Sequence, residues 1–355
     1  MSEPQGLTLI AVGQSLIRED LTDYSHPDFD AVLALVRQGD VTFTNLEGTI
    51  AGPHGGWPVK DGYCHAAPAS VLSSLKNMGF NTLSLSNNHS FDLGPGGILS
   101  TLEACDEHGF LHSGIGVDKT AAAKATIRQF PSGRIGLLAM DAGPQPETSY
   151  ARDAVQGIPA RPGCNQLGAR RVIEVSAQDM QYLKDLSQRT GYEAQKRQNA
   201  RAGYQALDGS DLEFYGNVFR TAEQPQERRE IDPSDLDRQL GAIRDAAAKT
   251  DYLFVYVHHH HWENNWEDTP DWMVEFAHKT IEAGASGFIS HGIPLLQGIE
   301  IYKSRPIFYS LGNFIYLTLP GFDVHQIAGN VLMNGGHDGQ EGSSSASAVH
   351  GRVQA

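Results

Sequence analysis

The sequence has few cysteines for its length. Three occur in 355 residues, at Cys64, Cys105 and Cys164. An odd and low count argues against a disulfide framework and is typical of proteins from a reducing compartment. We therefore expect a cytoplasmic protein that depends on a hydrophobic core, and a chain of about 300 residues buries roughly 75% of its unfolded surface.

Long apolar runs are also missing, and positive charge is scarce. No stretch approaches the roughly 18 apolar residues of a membrane-spanning helix, and Leu7–Gly13 is too short for a signal sequence. Lys and Arg number 27 against 42 Asp and Glu, which gives a formal charge of −15 at pH 7. Because an acidic surface repels phosphate groups, we expect no nucleic-acid partner and no membrane insertion.

Short apolar runs alternate with amphipathic stretches along most of the chain. The apolar runs predict strands at Leu7–Val12, Val41–Asn45, Thr82–Ser86, Arg134–Met140, Tyr252–Val257, Gly287–Ser290 and Ile307–Ser310. The amphipathic stretches predict helices at Asp28–Gln38, Pro68–Met78, Gly97–His108 and Trp272–Ala283. This alternation is typical of an α/β fold with a parallel or mixed sheet covered by helices.

Two regions depart from this alternation. Residues 160–250 are polar and helix-prone, and they predict a helical insertion that covers one edge of the sheet. Residues 334–355 are rich in Gly and Ser and predict a disordered tail, because so few apolar groups cannot offset the entropy of ordering. We therefore predict a single domain over residues 1–333 that contains the insertion.

Polar side chains follow several of the predicted strands directly. These clusters contain Gln14; Asn45 and Glu47; Asn87, Asn88, His89 and Asp92; His258–His261 and Glu263; and His291. Loops at the carboxyl ends of strands build the sites of open α/β folds. Imidazole and carboxylate ligands suit Zn, Mn, Fe or Co, and an Asn carbonyl can complete the coordination sphere. The sequence therefore predicts a divalent-metal site at the strand ends.

The run of four histidines contains an internal alternation. Side chains along a strand point to opposite faces in turn, so His258 and His260 share one face, while His259 and His261 share the other. At most one pair should therefore face a metal unless the strand ends within the run.

Four blocks of sequence resemble a known family. NTLSLSNNHSFDLG, which begins at Asn81, is similar to the NNHxxDxG block of the CapA family of capsule and poly-γ-glutamate biosynthesis proteins, and NLEG at Asn45–Gly48 matches a second block. Asp251–His258 and Gly284–Tyr316 resemble the later blocks, and all four occur in family order. The resemblance implies a calcineurin-like metallophosphoesterase fold, which is a four-layer αββα sandwich, here with a helical insertion and with metals at the strand ends.

The resemblance also implies a set of metal ligands. On the matching positions these are Glu47, Asn88, His258, His260 and His291. Glu47 takes the place of a metal-bridging carboxylate, and His260 fits a family variant with His-x-His at that block.

Catalytic and substrate-binding roles follow from the same positions. His89 lies beside the metal-binding Asn as a catalytic acid or base, and Asp92 would orient its imidazole, as carboxylates commonly do. We assign Gln14, Asn45 and His259 to substrate binding.

Three activities are compatible with these residues. The leading hypothesis is a metal-dependent hydrolase that cleaves a phosphoester, or a peptide or γ-glutamyl amide, through a metal-activated water with proton transfer by His89. The second is a metal-dependent peptide epimerase or isomerase that abstracts a Cα proton. The third is a non-catalytic accessory of polymer synthesis. The partner of either enzyme would be a small-molecule or peptide substrate, and the oligomeric state stays open.

The chain departs from the family pattern at two ligand positions, and this leads to a prediction. Gln14 replaces the usual Asp after the first strand, and Pro294 lies where the closing block usually has a last His. Because two ligands of a dinuclear site are lost, we expect about one tightly bound divalent metal per chain. Mass-spectrometric metal analysis of the purified protein checks this, and a stoichiometry near two would contradict it.

Overall fold

The computed structural model describes residues 6–60, 64–204 and 211–317. Within these ranges the strands are β1 (Leu9–Ala11), β2 (Gln14–Leu16), β3 (Val41–Asn45), β4 (Thr49–Ile50), β5 (Ala66–Ala67), β6 (Thr82–Ser84), β7 (Leu111–Ser113), β8 (Ile115–Gly116), β9 (Thr126–Phe130), β10 (Gly133–Asp141), β11 (Gly163–Cys164), β12 (Ala169–Val175), β13 (Leu212–Phe214), β14 (Asn217–Thr221), β15 (Gln226–Ile231), β16 (Tyr252–His258), β17 (Gly287–His291), β18 (Ile299–Tyr302), β19 (Arg305–Phe308) and β20 (Asn313–Tyr316). The helices are α1 (Pro27–Val36), α2 (Ser70–Met78), α3 (Gly94–Glu107), α4 (Lys119–Ala122), α5 (Ala177–Arg189), α6 (Tyr192–Arg201), α7 (Pro233–Ala247) and α8 (Asp271–Glu282).

Two larger sheets form the body of the first unit, residues 1–166 and 238–355. One sheet has the order β1-β3-β6-β7, and every pair in it is parallel. The other has the order β18-β19-β17-β16-β10-β9, with four parallel inner strands and an antiparallel strand at each edge. Because parallel strands end at the same edge of a sheet, the loops after them converge there.

A layer of buried apolar side chains packs between the two sheets. Its buried members come from both sheets: Val41, Phe43, Leu111, Ile135, Leu137, Ala139, Phe254, Tyr256 and Ile289. The rings of Phe43 and Tyr256 meet across the layer with centroids 5.4 Å apart. Large aromatic side chains dominate the energetics of such cores, so we expect this contact to contribute strongly to the packing of the two sheets.

Helices cover the outer faces of both sheets. Val36 of α1, Leu75 of α2 and Ile98 of α3 belong to one buried cluster with Leu83 of β6. On the other sheet, Phe276 of α8 packs edge-on against Phe288 of β17 at 6.2 Å. The order helix, sheet, sheet, helix confirms the predicted α/β class and its four-layer αββα sandwich.

The predicted helix positions are confirmed, with ends that differ by at most three residues. The largest shift is in α3, which begins at Gly94 rather than at the predicted Gly97. Pro95 lies in its first turn, where the missing N–H of proline costs nothing. In the described parts of the chain no helix is both long and apolar enough to cross a membrane.

The segment predicted as a helical insertion contains strands as well as helices. Residues Leu167–Asp237 form a separate unit with α5, α6 and a sheet of order β13-β14-β12-β15. Sequence analysis missed these strands because many of their residues are charged and form cross-strand pairs, for example Arg171 with Glu227 at 2.8 Å, so the segment looks like polar surface. The purely helical interpretation is therefore wrong for this segment, and the predicted tail at 334–355 lies outside the described residues.

The inter-sheet layer gives the first structural prediction. Phe43→Ala should lower the free energy of unfolding by about 3–5 kcal/mol, because it removes a fully buried ring and leaves a cavity. Urea unfolding measures this, and Leu35→Ala on the solvent side of α1 is the control, with an expected loss within about 0.5 kcal/mol. A loss below about 1 kcal/mol for Phe43→Ala would show that the layer does not fasten the sheets.

Candidate metal centre

The polar clusters meet at the carboxyl ends of the two sheets. In the second sheet, Asp141, His258 and His291 are the last residues of β10, β16 and β17, and they lie side by side in register. From the first sheet, Glu47 follows β3 and Asn88 follows β6. Asn88 is partly buried and the other four residues are buried, and the strand-end prediction thus corresponds to one place in the fold.

Glu47, His258 and His260 form the donor cluster of this site. One ligand atom from each lies within 4.8 Å of the others, and Oε1 of Glu47 is 3.9 Å from Nε2 of His258. Among the described residues, neither Oε2 of Glu47 nor Nε2 of His260 has a hydrogen-bond partner. Buried polar atoms normally have hydrogen-bond partners. A buried carboxylate oxygen and a buried imidazole nitrogen without such partners are therefore suited to bind a divalent metal.

The histidine run divides as its alternation predicts. His258 and His260 lie together, with ring centroids 5.0 Å apart. His259 and His261 instead pack edge-on against the indole of Trp272, at 5.3 and 5.9 Å. The structure therefore brings one pair into the donor cluster, and it places His259, which we assigned to substrate binding, against α8.

Burial keeps the clustered imidazoles neutral. Desolvation lowers the pKa of His260 to about 4 and that of His258 well below its ordinary value, and neighbouring histidines add to both shifts. Burial also raises the pKa of Glu47 to about 8, against the opposing charge of Lys60. Neutral imidazole is the form that binds metal, and a buried carboxyl without a cation is held in its neutral form.

The Asn-Asn-His turn is tied to both sides of the site. Asn88 Oδ1 accepts a hydrogen bond from His258 Nε2 at 3.0 Å. The Nδ2 group of Asn87 donates to Asn45 Oδ1 at 3.1 Å and to the carbonyl of Leu46 at 2.8 Å. Asn45 thus holds the turn in place, whereas Gln14, the other predicted substrate residue, donates through Nε2 to Asn313 at 2.9 Å.

His89 and Asp92 form a hydrogen-bonded pair beside the cluster. Nδ1 of His89 lies 2.7 Å from Oδ2 of Asp92, and Asp92 also receives the amide of His65 at 2.7 Å and the ammonium of Lys60 at 2.8 Å. Burial alone would raise the pKa of Asp92, but the bond from His89 and the charge of Lys60 hold it below its ordinary value. An ionised Asp92 can only accept hydrogen bonds, so Nδ1 of His89 is the ring nitrogen that carries the hydrogen and donates it.

His291 lies next to the donor cluster but outside its closest group. Its ring stacks over Phe43 with centroids 6.4 Å apart and lies 5.4 Å from Tyr256. Burial lowers its pKa to about 3, so this imidazole is also neutral. The structure therefore places the predicted ligand on the adjoining strand, one position along the sheet from His258.

Sequence analysis missed three side chains of this region. Asp141 ends β10 just as His258 ends β16, so the strand-end rule applied to the predicted strand Arg134–Met140 would have found it. Lys60 and His65 come from loop residues, and the ring of His65 lies 4.3 Å from that of His89. No sequence signal locates such loop residues, because tertiary contacts alone bring them to the site.

The sequence matches the family model for the bacterial capsule synthesis protein PGA_cap over residues 8–317. The chain belongs to this family. The match covers all the strands that contribute to the donor cluster, and it confirms the CapA resemblance carried by the four sequence blocks.

Individual PGA_cap relatives divide into long and short matches. The proteins y4sH and y4uA of Sinorhizobium fredii are each 33% identical over 330 residues, which cover 91% of this chain and 69% of theirs. The capsule biosynthesis protein CapA of Bacillus anthracis is 31% identical over 104 residues, 29% of this chain and 25% of that protein. The PGA biosynthesis protein CapA of Bacillus subtilis is 32% identical over 85 residues, 24% and 22% of the two chains.

The division of the histidine run predicts opposite outcomes for neighbouring substitutions. His258→Ala should weaken metal binding by at least about tenfold, because it removes a member of the donor cluster. His259→Ala should keep the metal and lose only its packing on Trp272. Metal content after dialysis, with circular dichroism as a folding check, distinguishes them, and equal metal loss in both variants would contradict the division.

Proposed function

We propose that this chain is a metal-dependent hydrolase of the capsule synthesis family. The observation that carries the proposal is the arrangement of the Glu47, His258 and His260 donor cluster beside the His89–Asp92 pair. The two groups are connected through adjacent residues, because Asn88 contacts His258 while His89 holds Asp92. A metal-ligand set next to an oriented imidazole is the combination that hydrolysis of a stable bond requires.

Glu47, His258 and His260 would hold the metal. Asn88, which contacts His258, and His291, which is in register with His258 on the adjoining strand, are the further ligands that we propose. A divalent ion there supplies Lewis-acid polarisation of the scissile group and a lower pKa for water. The chain itself supplies the binding pocket, neutral imidazoles, and a carboxylate that is free to ionise once a cation is present.

His89 would move the proton. Because Nδ1 donates its hydrogen to Asp92, Nε2 is the ring atom that accepts a proton from the attacking water. The water oxygen then bonds to the scissile carbon, the bond to the leaving group breaks, and Nε2 returns the proton to the leaving atom. Asp92 keeps the ring in one tautomer and stabilises the charge that His89 gains in between, as the third member of a catalytic triad does.

The family favours an amide substrate over a phosphoester. The matching family model is that of the capsule synthesis protein PGA_cap, and one relative is a PGA biosynthesis protein of Bacillus subtilis. The sequence blocks resemble poly-γ-glutamate biosynthesis proteins, and the units of that polymer are joined by amide bonds. We therefore propose that a peptide or γ-glutamyl amide is the bond cleaved.

Chromogenic substrates test the reaction class directly. The metal-loaded protein should release p-nitroaniline from γ-glutamyl or peptidyl p-nitroanilides, and a chelator should stop the release. The parallel assay uses p-nitrophenyl phosphate, for which little turnover is expected. Phosphate release without amide cleavage would contradict the amide assignment, and uptake of solvent deuterium at Cα without cleavage would contradict hydrolysis and indicate an epimerase.

The His89–Asp92 pair gives the prediction that separates catalysis from folding. His89→Ala should lower turnover by about 100- to 10,000-fold while the metal stays bound, because general acid–base groups contribute about that factor. The matched control is His112→Ala, since His112 is also a buried histidine in a close pair, 2.9 Å from Asp106. It should retain activity. If His89→Ala keeps wild-type activity per bound metal and only loses stability, His89 merely braces its loop.

A further inference from the structure

Asp141 is a buried carboxylate that the proposed reaction does not use. It ends β10 and its side chain is fully shielded from solvent. Oδ2 accepts hydrogen bonds from Tyr150 at 2.9 Å and from Gln145 at 2.6 Å. Within the described ranges, Oδ1 has no partner that meets hydrogen-bond geometry. The backbone amide of Gly143 also interacts with this carboxyl group. Neutral donors therefore orient the group, and no cation is paired with it among the described residues.

The position of Asp141 places its side chain beside His258. Asp141 and His258 are paired in register on neighbouring parallel strands, so their side chains leave the same face of the sheet, with the strands about 4.8 Å apart. The amide of Ala142 donates to the carbonyl of His258 at 2.8 Å, which extends the pairing one residue past the strand. Asp141 therefore adjoins the cluster of Glu47, His258 and His260 at the end of the sheet without belonging to its closest group.

Ionisation of both buried acids requires a cation. A buried carboxylate is costly unless it is paired or binds a metal. In the described part of the chain, no Lys or Arg forms an ion pair with Asp141 or with Glu47. Lys60 is engaged by Asp92 and by the carbonyl of Asn88. Holding Asp141 and Glu47 ionised together therefore needs two further positive charges, which is the charge of one divalent ion.

We propose that Asp141 is a further carboxylate of the metal centre, whose charge together with that of Glu47 balances the divalent ion held by Glu47, His258 and His260. It supplies the second negative charge that Gln14 does not provide. Hydrogen bonds from Tyr150 and Gln145 fix the orientation of the carboxylate, as hydrogen-bond partners outside the coordination sphere do for metal ligands. This inference rests on the metal dependence proposed above.

Metal affinity tests the proposal without using activity. The affinity for Zn²⁺ is measured by competition with a chromophoric chelator, on the whole chain. Asp141→Asn keeps the size of the side chain and removes its charge, and we expect it to weaken Zn²⁺ binding by about ten- to a hundredfold. Asp141→Ser, which is smaller and still polar, serves as a second neutral variant if the first does not fold.

Two further variants separate charge from scaffolding. Asp251→Asn removes the same charge at the other end of the sheet, where Asp251 pairs with Arg134 of β10 at 3.1 Å, and it should leave Zn²⁺ affinity unchanged. Tyr150→Phe removes one hydrogen bond but keeps the carboxylate, and we expect it to change affinity by less than about threefold. Equal losses in Tyr150→Phe and Asp141→Asn would overturn the proposal, because the hydrogen bond rather than the charge would then matter.

The failure of this inference can be told apart from failure of the proposed function. If the wild-type chain binds Zn²⁺ and a folded Asp141→Asn binds it within about twofold as tightly, Asp141 is not part of the centre and the hydrolase proposal stands. If the wild-type chain binds neither Zn²⁺ nor Mn²⁺, both proposals are overturned together.

Discussion

The packing of the two sheets on each other is the constraint on which the site depends. Glu47 and Asn88 come from one sheet, while His258 and His260 come from the other, so no ligand set exists unless the sheets are held at a fixed spacing. Phe43 contributes through two contacts. Its ring packs against Tyr256 in the layer between the sheets and stacks over His291 at the site. Well-packed cores transmit such constraints because they resist small changes of volume.

The same packing also explains why the titratable groups of the site are buried rather than exposed to solvent. Sheet ends bury the acids and the imidazoles together, which removes the water that would otherwise solvate them. Burial pushes the acids towards their neutral form and the imidazoles away from their charged form. Both effects suit the divalent ion that we propose, because a nearby cation favours ionised carboxylates and neutral imidazoles bind metals.

Sequence patterns predicted the α/β class and a site at the strand ends, because both depend on local alternation, whereas the four-layer sandwich was implied by the family resemblance. The apolar runs located β3, β10 and β16, and period two divided His258 and His260 from His259 and His261. The patterns failed where stability comes from contacts across the chain. Strands of the inserted unit contain cross-strand pairs such as Arg171 with Glu227, which look like surface charge in a sequence. Lys60 reaches Asp92 from a loop, and no periodicity encodes that contact.

The inserted unit is closed at its base by hydrogen bonds between its own two ends. The carbonyl of Gly168 accepts the amide of Asp232 at 2.7 Å, and the amide of Gly168 donates to the carboxylate of Asp235 at 2.8 Å. In sequence, this unit lies between β10, which ends at Asp141, and β16, which ends at His258. A segment whose two ends are joined to each other can be lengthened, shortened or exchanged while the order of β10 and β16 in the chain stays the same.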